Sequence, residues 1–486
     1  MAGRVRALLL GGAGLSLLAS PALADDLRDA LISAYDTNPT LQAQRSTQRA
    51  TDEGVPIAKA PGLPSVSGTV TFTKLIGNET TGATILGPGR VLDTQANLGV
   101  PIYSGGAVRN SIKAAKVRVS AGQEDLRGVE SGVFSQVVAA YMDVIRDQAL
   151  VGLQRKNVEV LGVNLQSTRD RFEIGDLTRT DVAQSQSRLA LAQGSLRISE
   201  ATLIASRERY IQVVGKAPVD LAPPPPLPGL PASPDEATAF ALDNNPDLLA
   251  SRQRTKAAGY DSEAAGAGRL PTISVFAGAD RTDYLGSLGG GSVPSGTLDQ
   301  NTTSGQVGVR ASIPIFSGGL PAARERQARA RESATLEQEI GTEREIIATV
   351  RSAYSQWTAA NDVINSSQTA VDAAALSLEG VRAENSVGNR TILDILNAEQ
   401  ELLNAQVQLV SARRNAYVAG FNLLAAMGKA EARDLGLDGG VLYDPQANYN
   451  RVKNKFFDWD LDPKPTPKST RTVDTKPQDG AIPPDK

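Results

Sequence analysis

The 486 residues include no cysteine and no histidine, and only 4% are aromatic. Without cysteine there are no disulfides and no thiolate metal sites. Without histidine the commonest acid–base catalyst and metal ligand is missing. Carboxylate-only catalysis stays open, yet the composition argues against an enzyme and implies neither cofactor nor metal. Lys and Arg number 50 against 53 Asp and Glu, with no basic block, so the footprint of a nucleic-acid binder is lacking. Beyond the N-terminus no apolar run is long enough for a membrane helix. So few aromatics are thin for a thick globular core. Ala, Gln, Ser, Arg, Glu and Leu dominate the middle of each half, which suits long helices with narrow contacts.

What is present begins with a secretory signal. Arg4 and Arg6 precede an apolar stretch at 8–19 and an Ala22-Leu23-Ala24 cleavage site, so residues 1–24 are expected to be removed. The mature chain is then two units more negative than the full-length −3, and with no cysteine after the cleavage site an N-terminal lipid anchor is excluded.

The rest is a tandem repeat. VPIYSGG at 100–106 returns as IPIFSGG at 313–319, and AYDTNPTLQAQR at 34–45 returns as ALDNNPDLLASR at 241–252. The offset is 207 up to Leu63-Pro64 and Leu270-Pro271, then 213 from Val100 to Ala192-Gln193 and their copies. The organisation is a first repeat at 25–215, a Pro-rich linker at 216–234, a second repeat at 235–429, an equatorial segment at 430–455 and a tail at 456–486. The tail is Pro- and Lys-rich and is expected to be disordered.

Each repeat reads as helix, strand, Gly-rich loop, strand, very long helix, tight turn and long helix. Strands are expected at 65–73, 95–102, 272–280 and 305–315, each alternating small polar with apolar residues. A sheet with one wet face would show that alternation, and so would a membrane barrel, apolar outward and polar inward. Four strands facing water with a Gly-Ser outer face favour the barrel. Four cannot close one, and open edges are not tolerated in lipid, so the barrel must be shared between chains. Two chains give the minimum of about eight strands, and three give about twelve with room for a pore.

From 105 to 172 there is no proline, and a helix over that run would be about 100 Å long. Leu126, Val129, Val133, Val137, Tyr141 and Val144 form a stripe at three- and four-residue spacing. Val182, Leu189, Leu196 and Leu203, and their copies Ile395, Leu402, Leu409 and Ala416, repeat every seven. That period implies left-handed coiled-coil contacts, and stripes so narrow need neighbours.

Both returning helices start at a tip. Gly175 and Gly388 permit the turns, and Thr178–Asp181 and Thr391–Asp394 form Thr-x-x-Asp capping boxes. The joints, Pro101, Tyr103, Gly105 and Gly106 and their copies Pro314, Phe316, Gly318 and Gly319, read as turns in which proline ends sheet pairing and glycine relaxes the backbone. Neither joint carries a phosphate-binding pattern. Tyr103 and Phe316 are expected at the membrane–water boundary.

Duplicated and in this order, Asn38-Pro39 with Asn245-Pro246, the two joints and the tips at 171–193 and 383–406 resemble the TolC family of outer-membrane efflux and secretion channels. The resemblance covers roughly residues 27–429. It implies a mainly α fold with a small β part: a long antiparallel coiled-coil tunnel, an α-barrel, joined to a membrane β-barrel shared by a homotrimer. It implies residence in the outer membrane, reaching into the periplasm. A periplasmic adaptor (membrane fusion) protein would meet the tips at Gly175, Thr178, Gly388 and Thr391, and through it an inner-membrane ABC or proton-driven transporter. Asp394 falls where the family places a pore-facing aspartate ring. Arg390, Thr180 and Asp181 match positions that tie the second hairpin to its neighbours in the closed state. Asn385 replaces a tyrosine of that closing network and Asn397 a second ring aspartate, which implies a less tightly locked resting state. The unlipidated N-terminus and the tip pattern lean toward a type I protein-secretion duct rather than a small-molecule efflux duct. A soluble trimeric coiled-coil scaffold of the periplasm is the reading from another class.

Overall fold

The computed structural model describes residues 26–76, 88–289, 297–437 and 442–482. The expected signal sequence and the tips of both strand-connecting loops lie outside these residues.

The first half opens with three short helices, α1 (Leu27–Thr37), α2 (Pro39–Asp52) and α3 (Gly54–Lys59), and a 3-10 turn at Ala60–Gly62. Strands β1 (Ser65–Lys74) and β2 (Arg90–Tyr103) then lead into α4 (Ala107–Glu173) and α5 (Arg179–Val214). The second half repeats this with α6 (Pro234–Asn244), α7 (Pro246–Gly266), a 3-10 turn at Ala267–Arg269, β3 (Thr272–Asp283), β4 (Asn301–Ser312), α8 (Leu320–Ser386) and α9 (Ile392–Met427). A last helix, α10 (Pro445–Val452), lies in the equatorial segment, where the Asn448 amide donates to Asp52 at 2.7 Å.

The Asn-Pro pairs close each repeat on itself. Asn38 caps α2 by accepting from the amides of Thr40 and Leu41, and Pro39 takes the first helical position, where no amide proton is needed. The same side chain donates to the Val213 carbonyl at the end of α5, 2.9 Å away. Asn245 does the same for α7, donating to Ala426 at 2.8 Å.

The main core lies where α1, α4 and α5 meet, around Phe134, Tyr141 and Tyr210, all fully buried. The sequence stripe on α4 is in this core: Leu126, Val133, Val137, Tyr141 and Val144 are buried and Val129 half-buried. Arg45 is stacked between the rings of Tyr35 (4.2 Å) and Tyr443 (5.0 Å), which ties the equatorial segment to the first half. The two halves are not buried alike. Among the described residues α4 buries nineteen and α8, also 67 residues long, buries six.

The four strands form one antiparallel sheet in the order β1-β2-β3-β4, so β1 and β4 are both open edges. Cross-strand register sorts the faces. Rows such as Val66–Leu98–Ala277–Val307 and Val100–Val275–Val309 lie on one side. Rows such as Ser67–Asn97–Gly278–Gln306 and Thr69–Gln95–Asp280–Ser304 lie on the other. Arg310 is on this polar side, 5.0 Å from the Phe276 ring.

Two expectations need correction. The last strand stops at Ser312, short of Ile313 and Pro314, whereas β2 runs through Pro101 to Tyr103 across an irregularity in the ladder. β2 is an interior strand held on both sides within the chain, and β4 is an edge of the chain's own sheet. The tail is the second. Residues 456–482 have no helix or strand, as their composition requires, but they are not free: Arg207 donates to the carbonyls of Asp479 (2.6 Å) and Ala481 (2.8 Å). The partners are main-chain oxygens, which composition does not register.

Candidate functional site: the helical tips, the joints and the sheet

Each tip is a tight turn between two long helices. Gly175 and Gly388 have φ of +83° and +84°, a conformation in which a Cβ would be strained. The amide of Gly388 donates to Asn385 and that of Asn389 to Glu384, which close the end of α8. The copy at Gly175 and Asp176 uses Phe172 and Arg171.

Both capping boxes are formed. Thr178 Oγ1 accepts from the Asp181 amide, and Asp181 Oδ2 accepts from the Thr178 amide (2.9 Å) and hydroxyl (2.7 Å). Thr391 and Asp394 repeat this at the same distances. The Thr391 hydroxyl and amide, and secondarily Arg390, hold the Asp394 carboxyl below the usual carboxylate range. Thr178 does the same for Asp181.

Arg390 pairs within its own tip: its Nε lies 2.6 Å from Glu384, and that carboxylate raises the guanidinium's pKa. The Asn385 amide donates to the Arg390 carbonyl at 2.7 Å. Ties from Arg390 to Thr180 or Asp181 are not among the contacts of the described residues, and Thr180 is exposed. Asn397 accepts from Arg188 of α5 at 2.9 Å and so joins the two hairpins.

Sequence reasoning missed Glu399. It is buried in the seam between the hairpins, accepting from Asn164 at 2.9 Å on both oxygens and from Arg382 at 3.0 Å. The signal was a carboxylate four residues after Ile395 and three before Leu402, on the apolar stripe itself. Leu161, Ala192 and Leu396 pack beside it.

The joints differ in surroundings. A Cβ on Gly105 would lie 2.8 Å from Leu270 and 2.9 Å from the Ala267 carbonyl, so this joint is packed on the start of the second half. Around Gly318 and Gly319 nothing lies within 4 Å of such an atom. Phe316 is 87% exposed and Ile315 95%, against 46% for Tyr103. The apolar face of the sheet is bare too, with Val66, Val70, Val307 and Val309 all at least 70% exposed.

Among the described residues no cluster of three or more His, Cys, Asp or Glu could hold a metal. No helix among them is long and apolar enough to cross a membrane.

The family model described as outer membrane efflux protein matches residues 31–215 and 239–429. The chain is 34% identical over 449 residues to the outer membrane efflux protein BepC of Brucella suis biovar 1 (strain 1330), covering 91% of this chain and 94% of that protein. It is 29% identical over 321 residues to the alkaline protease secretion protein AprF of Pseudomonas aeruginosa, covering 65% of each. Among solved structures, the Campylobacter jejuni CmeC outer membrane channel superposes with a TM-score of 0.73 at 16% identity, covering 88% of this chain and 89% of that one.

Proposed function

Since the chain belongs to the outer membrane efflux protein family, whose members are outer-membrane channels and not enzymes, we propose that three copies form one passive exit duct, gated at the helical tips. The observation that carries this is the four-stranded sheet. It has one apolar face bare, one polar face, two unpaired edges and two strands leading into 67-residue helices. Lipid can cover the apolar face but cannot satisfy an edge, so the edges need further copies. Three copies supply about twelve strands, enough to surround a water-filled lumen lined by the polar face.

At the far end the two capped tips of each copy form the aperture. Gly175, Thr178, Gly388 and Thr391 present them to a periplasmic adaptor, which couples the duct to an inner-membrane transporter. Asp394 places a ring of three carboxylates there, which attracts cations and disfavours anions. Arg390, held by Glu384, stiffens the tip that carries the ring.

For cargo, the near full-length match to an efflux protein supports small-molecule efflux as the first reading. The match to a protease secretion protein supports protein secretion as the second. Deleting the gene and scoring both drug susceptibility and the secreted proteins separates them. Heightened susceptibility with unchanged secretion supports efflux, and loss of a secreted protein alone supports secretion. The duct itself predicts a heat-modifiable oligomer in the outer-membrane fraction that conducts in planar bilayers. A periplasmic, non-conducting protein would leave only the scaffold.

A further inference from the structure

The C-terminal tail lies outside both repeats, yet its last described residues are held by side chains of the first hairpin. Arg207 of α5 is nine-tenths buried, and its Nη1 and Nη2 donate to the carbonyls of Asp479 and Ala481. Asp479 also offers it a carboxylate oxygen at 3.4 Å. Arg155 of α4, paired with Glu200 of α5, donates to the Gly480 carbonyl at 3.1 Å. The Gln478 amide donates to Glu208 at 3.0 Å. Ile482 packs against the main core, its Cδ1 near Gly152.

These contacts read a short motif. Successive carbonyls at 479, 480 and 481 meet two arginines, which a free loop would leave to water. Position 480 must be glycine, because a Cβ there would lie 2.9 Å from the Glu200 Cβ. Position 482 must be apolar to reach the core. A buried guanidinium with these carbonyls removed would be left without compensation, and such a group is costly.

We propose that residues 470–482 are a clasp docked in cis: the seam between α4 and α5 is a peptide-binding groove, and the chain carries its own ligand, Asp479-Gly480-Ala481-Ile482. The clasp fastens the two helices of the first hairpin to each other where they leave the main core. The second hairpin has no tail of its own, so the two hairpins of one chain are braced differently.

The full-length channel tests this, and the cysteine-free background makes the readout clean. Glu208→Cys with Gln478→Cys should be bridged within one chain by a short bis-maleimide crosslinker, since the Gln478 amide lies 3.0 Å from the Glu208 carboxylate and neither change touches position 480. A bridge that does not form, or one that links chains, overturns the cis clasp. Amide exchange of the peptide 474–482 supplies the second arm. It should be at least about tenfold slower in the wild type than in Arg207→Gln or Gly480→Val. Gly480→Val leaves every helix untouched, so folding defects do not enter. Equal exchange in all three proteins overturns the proposal.

Discussion

In the proposed aperture Asp394 carries both the helix cap and the ring on one carboxylate, whose two oxygens can divide the tasks. Both bonds from Thr391 end on Oδ2, so Oδ1 lies outside the cap and is available to a passing ion. Asp394→Ala should therefore weaken block of the pore by multivalent cations in planar-bilayer recordings; block of unchanged strength removes the ring. The pH dependence has a definite sign. The folded chain holds the Asp394 and Asp181 carboxyls below their ordinary value, so their capping contribution is complete above about pH 4 and fades as pH falls through the lowered values. Cation block should persist from pH 7 to pH 5 and disappear only under stronger acid. Loss of block near pH 6 would assign it to another group. Arg390→Ser frees Glu384 from its 2.6 Å contact and loosens the tip. Resting conductance should rise, and an unaltered conductance would remove Arg390 from the gate.

The elements show what repetition in the sequence discloses and what it hides. Helix starts and turns were legible because each occurs twice with its own chemistry: Asn-Pro caps, glycine turns and Thr-x-x-Asp boxes are local, and local rules hold wherever the copy sits. Glu399 escaped because its charge is not repeated. Its counterpart 213 residues earlier is the neutral Gln186, and a tandem comparison passes over a position that the copies do not share. Its buried carboxylate joins α4, α8 and α9 through Asn164 and Arg382. Glu399→Gln keeps the shape but leaves Arg382 without its anion, and because Arg382 is half exposed and can be hydrated the cost is about 1 kcal/mol. The expected outcome is a channel that still assembles but whose tips exchange amide protons faster and conduct more at rest. Tips as protected as the wild type's would make Glu399 a packing residue only. The tail escaped for a different reason. Composition reports that a segment cannot build a core, and says nothing of a buried Arg207 that takes main-chain oxygens as partners.

On the scale of the whole molecule, the unequal burial of two repeats built on one plan points to what adjoins them. Helix α4 packs on α7 and the first joint on Ala267 and Leu270, all from the following repeat. In the proposed trimer, the repeat that follows the second one is the first repeat of another copy. Shifting the observed contacts by the two offsets gives that interface. Gly318 should meet Ala60 and Leu63 of the next copy, as Gly105 meets Ala267 and Leu270. The β2–β3 register of Leu98 with Ala277 and Ala96 with Ala279 becomes Ala311 with Val70 and Val309 with Phe72. Both new pairs join apolar to apolar, so the faces match around the ring and the barrel keeps one lipid side. Lys113, 5.0 Å from the Tyr260 ring, becomes Arg326 opposite Glu53. An aromatic contact inside the chain is thus replaced by opposite charges between chains. Glu53→Arg should weaken the oligomer on mildly denaturing gels, Arg326→Glu should do the same, and the double variant should recover. A surface pair of this kind contributes roughly 0.2–1 kcal/mol, repeated at each of three interfaces, and like charges placed there oppose assembly by a similar amount. Additive losses in the double variant would place the two residues apart and reject the interface drawn from the repeat.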